Sequence, residues 1–247
     1  MNIKMKTLSL AVLGLAGFAI AGSASAACVA GNLSAWSSTS AIGGTLTVAT
    51  GGLESAPQTP SECRLDVAVT ASFSTGVFVR DNTPAAEARY RAQYLIDNTV
   101  VGPMQLTENY KAFGATTDTP ANSVSDLVRL TVVGNIGGSA KNLGVFTACA
   151  GQPGSLCSGS VPLAAGVNRV EIDYVKSATG SLKVWVNSGV EASPSLTLAG
   201  DNSAWGGVDF ATLGVIAPTV AFRSAHLNQA VKFDRFDSRR QTFIGTN

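Results

Sequence analysis

The chain has 247 residues, 17 Lys and Arg against 16 Asp and Glu, and a formal charge of +1. A nearly neutral surface offers no field for nucleic acid or anionic lipid. Four cysteines and one histidine leave little material for a metal centre.

The first 26 residues read as a secretory signal. Lys4 and Lys6 give the positive start, residues 8–21 the apolar stretch, and Ala24-Ser25-Ala26 a small-x-small cleavage site. The stretch is too short and Gly-rich for a membrane span, and no later segment is apolar for long enough to be one. A lipoprotein anchor on Cys28 is the rival reading; it needs a large aliphatic residue where Ser25 stands. Cleavage removes two lysines and turns the charge from +1 to −1. It leaves about 220 residues, 27–247, a length that fits one large β domain.

Apolar alternation of period two then recurs down the chain, with almost no helical periodicity. Residues 46–48, 65–69, 77–80, 90–96, 128–132 and 143–147 read as strands. So do 168–175, 182–187, 196–198, 210–215 and 231–236. Clusters of Gly, Pro, Ser, Asn and Asp separate them and supply turn chemistry. Residues 84–89 open on a proline and read as a helical turn. Residues 37–44 and 53–62 are polar surface segments, and 134–142 and 150–160 are loops. No repeat and no composition shift marks a second domain. Many short strands separated by such turns predict an all-β, antiparallel two-sheet sandwich.

Cys28, Cys63, Cys149 and Cys157 all lie in the exported part, where an even number suggests disulfides. Three pairings exist. The short separation favours Cys149 with Cys157 and leaves Cys28 for Cys63. Loop closure would contribute about 2.5 and about 4 kcal/mol respectively. Reduced buried cysteines are the alternative; zinc lacks a C-x2-C spacing.

The hairpin at 168–187 carries the densest information. Centring its turn on Ala178 sets Ile172 opposite Val184, so Val170, Ile172 and Tyr174 share a buried face with Leu182, Val184 and Val186. Asp173 then lies opposite Lys183 and Glu171 opposite Trp185 on the outward face. An exposed Asp–Lys pair contributes about 0.2–1 kcal/mol.

Arg-Val-Glu-Ile-Asp-Tyr at 169–174, a short turn, and Ser-Leu-Lys-Val-Trp-Val-Asn at 181–187 resemble the hairpin of laminin G-like, concanavalin-type jelly rolls. Val-Arg-Asp-Asn-Thr-Pro at 79–84 with Ala-Arg-Tyr-Arg-Ala at 88–92, the stretch 208–215, and Phe-Asp-Arg-Phe-Asp-Ser-Arg-Arg at 233–240 resemble exported bacterial versions. The resemblance runs from about residue 72 to 244. It implies a jelly roll far more firmly than it implies a function, since members include carbohydrate binders and adhesion modules.

The superfamily also contains retaining glucanases whose strand reads Glu-x-Asp-x-x-Glu. Here Glu171 and Asp173 fill the first two positions and Lys176 the third. Hydrolysis with retention needs two carboxylates about 5–5.5 Å apart in separate roles, and a lysine cannot supply one without strong burial. His226 has no G-x-S-x-G serine to serve. The Gly-Gly pairs at 43–44, 51–52, 137–138 and 206–207 lack a P-loop lysine. No catalytic residue is assigned.

Binding remains. Sugar recognition needs an aromatic platform flanked by polar groups, and Trp185 with Glu171 and Lys183 fits by its outward position; cover by other chain is the competing reading. Arg89, Arg91 and Gln93 line the polar face of another strand and could hold a carboxylate or uronic acid. Calcium candidates are Asp81 with Asn82, Asp201 with Asn202, and Asp97 with Asn98, but none follows a coordinating pattern, and such residues commonly form Asx turns. The expectation is an exported, periplasmic or extracellular, non-catalytic sandwich without a resident cofactor. Its partner would be a polysaccharide or another envelope protein. A divergent glycan-active hydrolase and a self-associating surface module are the alternatives.

Overall fold

The computed structural model describes residues 29–54, 62–71, 73, 75–99, 101–138, 140–150, 155–239 and 241–246. Period-two alternation becomes strand almost throughout. In chain order these are β1 (Ser38–Ile42), β2 (Gly44–Thr50), β3 (Cys63–Val69), β4 (Gly76–Asp81) and β5 (Arg89–Asp97). Next come β6 (Asn109–Ala121), β7 (Val124–Gly134), β8 (Lys141–Ala148), β9 (Leu156–Leu163) and β10 (Val167–Val175). The last are β11 (Gly180–Val186), β12 (Leu196–Gly200), β13 (Phe210–Ile216), the short helix α1 (Val220–Ala225) and β14 (Ala230–Arg239).

They form two seven-stranded antiparallel sheets, ordered β1-β4-β13-β6-β7-β8-β9 and β12-β11-β10-β5-β14-β3-β2. Half of the neighbouring pairs are consecutive strands and half are distant in sequence, and the chain crosses repeatedly between the sheets. The core lies between them. Tyr94 and Ile172 from the second sheet meet Phe113, Leu130 and Leu213 from the first within one buried cluster. The Tyr94 and Phe113 rings stack across the interface with centroids 5.7 Å apart. Such a pair adds about 0.5–1.5 kcal/mol to the burial of its surface.

The hairpin register is the one that alternation requires: Ile172 pairs with Val184, Asp173 with Lys183 and Glu171 with Trp185. Cys149 and Cys157 are bonded to each other and bracket the turn from β8 into β9. Cys63 is oxidised as well; its expected partner Cys28, like residues 1–26, lies outside the described residues. Among the described residues no helix is long and apolar enough to cross a membrane. This fact and the disulfide fit an exported protein.

Several local expectations are corrected. Residues 37–44 hold edge strand β1, which alternation misses because four of its five residues are exposed. The predicted loop at 150–160 runs into edge strand β9, which tolerates Pro162 because it sits at a sheet margin. The long strand β6 escapes period-two reading because its pairing to β7 shifts register after Lys111 and again after Ala115. No helical turn forms at 84–89; Glu87 bridges Val208 and Arg89 opens β5. The helix appears instead at Val220–Ala225, with Thr219 as its N-cap.

Candidate functional site

Alternation that buries Tyr90, Tyr94, Val170, Ile172, Leu182 and Val184 sends their neighbours to the outer face of the second sheet. Lys183, Asp173, Arg91 and Arg239 stand in one row across β11, β10, β5 and β14. Trp185, Glu171, Gln93 and Asp237 form the next row. All six residues that the sequence nominates for binding, Arg89, Arg91, Gln93, Glu171, Lys183 and Trp185, are therefore gathered on one patch.

The patch is not the open surface expected of it. Trp185 is 1% exposed, Glu171 1% and Arg91 2%. Two segments cover them. The β11–β12 connection brings Glu191 to Arg91 Nη2 at 2.6 Å and offers the carbonyls of Val190 and Glu191 to Trp185 Nε1, each at 3.2 Å. The C-terminal segment lays Phe243 edge-on to the Trp185 ring, centroids 5.3 Å apart. The backbone N–H groups of Ile244 and Gly245 donate to the two oxygens of Glu171 at 2.8 and 2.9 Å. Gln93 Nε2 donates to the Gly245 carbonyl at 2.7 Å and to Glu171 at 3.1 Å. Strand alternation fixes which face a residue takes. It carries no information about a distant segment folding over that face, so Trp185 reads as a platform and is a buried ring.

Asp173 makes the ion pairs. Arg89 grips it with Nε and Nη2 at 2.9 and 2.8 Å, and Arg91 Nη2 reaches it at 2.8 Å. Lys183 is opposite in register but stays exposed, so the Asp–Lys pair expected from the hairpin gives way to two arginines from β5. Burial pushes the Asp173 carboxyl up, but the hydrogen bonds and charges of Arg89 and Arg91 outweigh it and hold it below the usual range. Arg91 Nη1 lies 4.0 Å from Glu171, and Nη1 and Nε find no hydrogen-bond partner among the described residues. Its guanidinium stands 5.8 Å from the Trp185 ring and 5.6 Å from that of Phe243.

Chemically, this set is arranged to accept and donate hydrogen bonds, and its ionised Asp173 is poorly suited to act as a general acid. A general acid must hold its proton near neutral pH, and Asp173 is driven the other way. Both oxygens of Glu171 are taken by the C-terminal backbone. Lys176 falls beyond the end of β10. All four tyrosines, Tyr90, Tyr94, Tyr110 and Tyr174, are buried in the core between the sheets. His226 faces Glu108 at 2.9 Å and Gln229 at 3.0 Å.

The proposed calcium candidates each close a local turn. Asp81 accepts from Thr83, Asp97 from Thr99 and Asp201 from Ser203. Among the described residues no group of three or more His, Cys, Asp or Glu side chains gathers where it could hold a metal. Sequence reasoning misses Glu191 and Phe243, whereas Gln93, read from the sequence beside Arg89 and Arg91, takes its place in the patch. It also misses a cleft of ≈ 690 Å3 at the β14 bulge, bordered by Trp36 and Phe236, whose tilted rings have centroids 5.0 Å apart. The polar groups there serve the fold itself. Asp234 accepts the N–H groups of Leu53 and Arg235, and Arg64 pairs with Asp66.

The architecture and this outer face define an antiparallel jelly-roll sandwich. The sequence matches no family model and no curated protein. Among solved structures, it is similar to the endo-β-1,4-glucuronan lyase from the fungus Trichoderma reesei, with a TM-score of 0.55 at 13% identity over 86% of this chain and 94% of the lyase. It is similar also to a mutant of the alginate lyase Aly36B solved with an alginate tetrasaccharide, with a TM-score of 0.55 at 12% identity over 83% of this chain and 99% of that one. At these identities the likeness is one of fold.

Proposed function

We propose that the chain is an exported, non-catalytic sandwich that recognises a glycan through the outer face of its second sheet, at the cell envelope or outside the cell. The observation that carries this reading is the convergence of Arg89, Arg91, Gln93, Glu171, Lys183 and Trp185 on one patch of β5, β10 and β11. A fixed cluster of donors and acceptors beside an indole is what polyhydroxylated ligands require. The rim of the patch is accessible: Lys183 and Thr197 are exposed on adjacent strands, and the Arg89 side chain is 40% exposed. On this reading residues 27–247 act as one laminin G-like unit, and calcium is not required.

The test is retention of the full chain on immobilised neutral and uronate-containing glycans, with and without chelator. Specific retention that falls at least fivefold in Lys183→Ala or Arg89→Ala supports it, and retention of no glycan removes it. A glycan-cleaving enzyme is the second reading, favoured by the lyase activity in the names of both structural neighbours. Depolymerisation of any retained glycan, abolished by the same substitutions, would install that reading in place of the first.

A further inference from the structure

The same patch poses a physical puzzle. Glu171 and Arg91 are almost fully buried, and the guanidinium keeps two nitrogens without a hydrogen-bond partner among the described residues. Buried charges are a costly means of fastening a short segment, because apolar residues of similar volume commonly hold as well or better. Arg91 meets the carboxylates of Asp173 and Glu191, whereas Glu171 is met mostly by backbone. Glu171 takes two successive N–H groups from Ile244 and Gly245, and Gln93 gives its amide hydrogen to the Gly245 carbonyl. Phe243 supplies the aromatic contact, against Trp185, and the neighbouring Ile244 is buried as well. A carboxylate that accepts two adjacent donors, an amide that donates to the next oxygen and an indole under an apolar face also suit a sugar ring. Neighbouring hydroxyls replace the two N–H groups, and the ring's C–H face replaces Phe243.

We propose that residues 243–246 are a tethered ligand that closes a saccharide subsite made by Glu171, Gln93, Arg91 and Trp185. The inference rests on the glycan reading above and adds its regulation. The rim of the patch remains open while the subsite beneath the C-terminal segment fills only when that segment leaves. Once vacated, Glu171 accepts two ligand hydroxyls, Gln93 and those two nitrogens of Arg91 donate to ligand oxygens, and Trp185 packs on the ring.

Gly245 gives a selective handle. Its φ of +68° and its N–H bond to Glu171 are both denied to proline. The opposite handle is at Gly189, where a Cβ would lie 3.4 Å from that of Thr246, close to the span of a disulfide. The full-length parent, a Gly245→Pro variant and an oxidised Gly189→Cys, Thr246→Cys variant are compared on the same glycan panel. Each is first checked for a cooperative melting transition. The expected result is at least tenfold tighter binding by Gly245→Pro, weaker binding than the parent by the cross-linked form, and greater acrylamide quenching of tryptophan in the opened chain. Phe243→Ala, which loosens the segment without touching its backbone, should shift binding in the same direction as Gly245→Pro and serves if the proline variant does not fold. Equal binding by parent, opened and locked forms overturns the tethered ligand and leaves the glycan reading standing. Binding by none of them overturns the glycan reading and this inference with it.

Discussion

Asp173→Ala is the most informative single change in this protein. The carboxylate receives three short hydrogen bonds from two arginines. Arg89 is 40% exposed and can rehydrate, so its share of the loss is small, about 0–1 kcal/mol. Arg91 is 2% exposed and cannot; it keeps Glu191 at 2.6 Å, itself 58% exposed, and Glu171 at 4.0 Å. Breaking a buried pair by removing one partner costs about 3–5 kcal/mol, and the residual partners place this case near the lower end, ~3 kcal/mol. In a domain of this size that is a fall of roughly 6–12 °C in Tm. Urea titration at pH 7 measures it, and Asp173→Leu combined with Arg91→Leu should lose less than the single change. The acid limb tests the cause. The folded-state value of Asp173 lies below its unfolded value, which is about 3.9. The stabilisation is therefore complete above that value and disappears as the pH falls through the folded-state value. Parent and Asp173→Ala should converge between about pH 4 and the acid end of the titration. A single-mutant loss under about 1 kcal/mol, a double mutant no better than the single, or a gap that widens in acid would refute the buried-pair reasoning.

Three further outcomes follow from the fold. Replacing Cys149 and Cys157 by alanine opens a loop of sequence separation 8 and should lower stability by about 2.5 kcal/mol in non-reducing urea titration; a loss under about 1 would show that the staple adds little to an already fixed turn. Gly207→Ala would set a Cβ 2.1 Å from the Ala86 carbonyl oxygen, an overlap with backbone that should cost about 1–3 kcal/mol, whereas Gly102→Ala, with its nearest contact at 4.0 Å, should stay within about 0.5; equal effects would contradict the packing described at residues 86–87. Tyr94→Phe and Tyr174→Phe remove buried hydroxyls that find no hydrogen-bond partner among the described residues, so thermal melts should show no loss and up to about 1 kcal/mol of gain; a loss above that would mean the hydroxyls are satisfied.

Much of the sandwich is written locally. Val170, Ile172 and Tyr174 alternate with Arg169, Glu171 and Asp173, and a strand has no way to bury the first set without turning the second outward. Pairing to Leu182, Val184 and Val186 then fixes the register, because a slip of one residue would expose both apolar triplets. The same pattern turns Glu171, Lys183 and Trp185 outward on the hairpin and Arg89 and Arg91 to the polar face of β5, and the spacing of Cys149 and Cys157 names the staple between β8 and β9. Edge strands β1 and β9 and the bulged β6 are less legible, since exposure or a register shift breaks the alternation that identifies a strand.

What chain order could not convey is what lies on top of that face. Asp173 takes Arg89 and Arg91 in preference to Lys183 because β5, some eighty residues earlier, packs beside β10. Trp185 and Glu171 are buried because the connection just after β11 turns back over the indole and residues 243–246 reach across from far along the chain. Periodicity is a short-range property of the polypeptide and decides which way each side chain points. Burial and ion pairing depend on contacts between distant segments, and those exist only once both sheets and their connections are assembled.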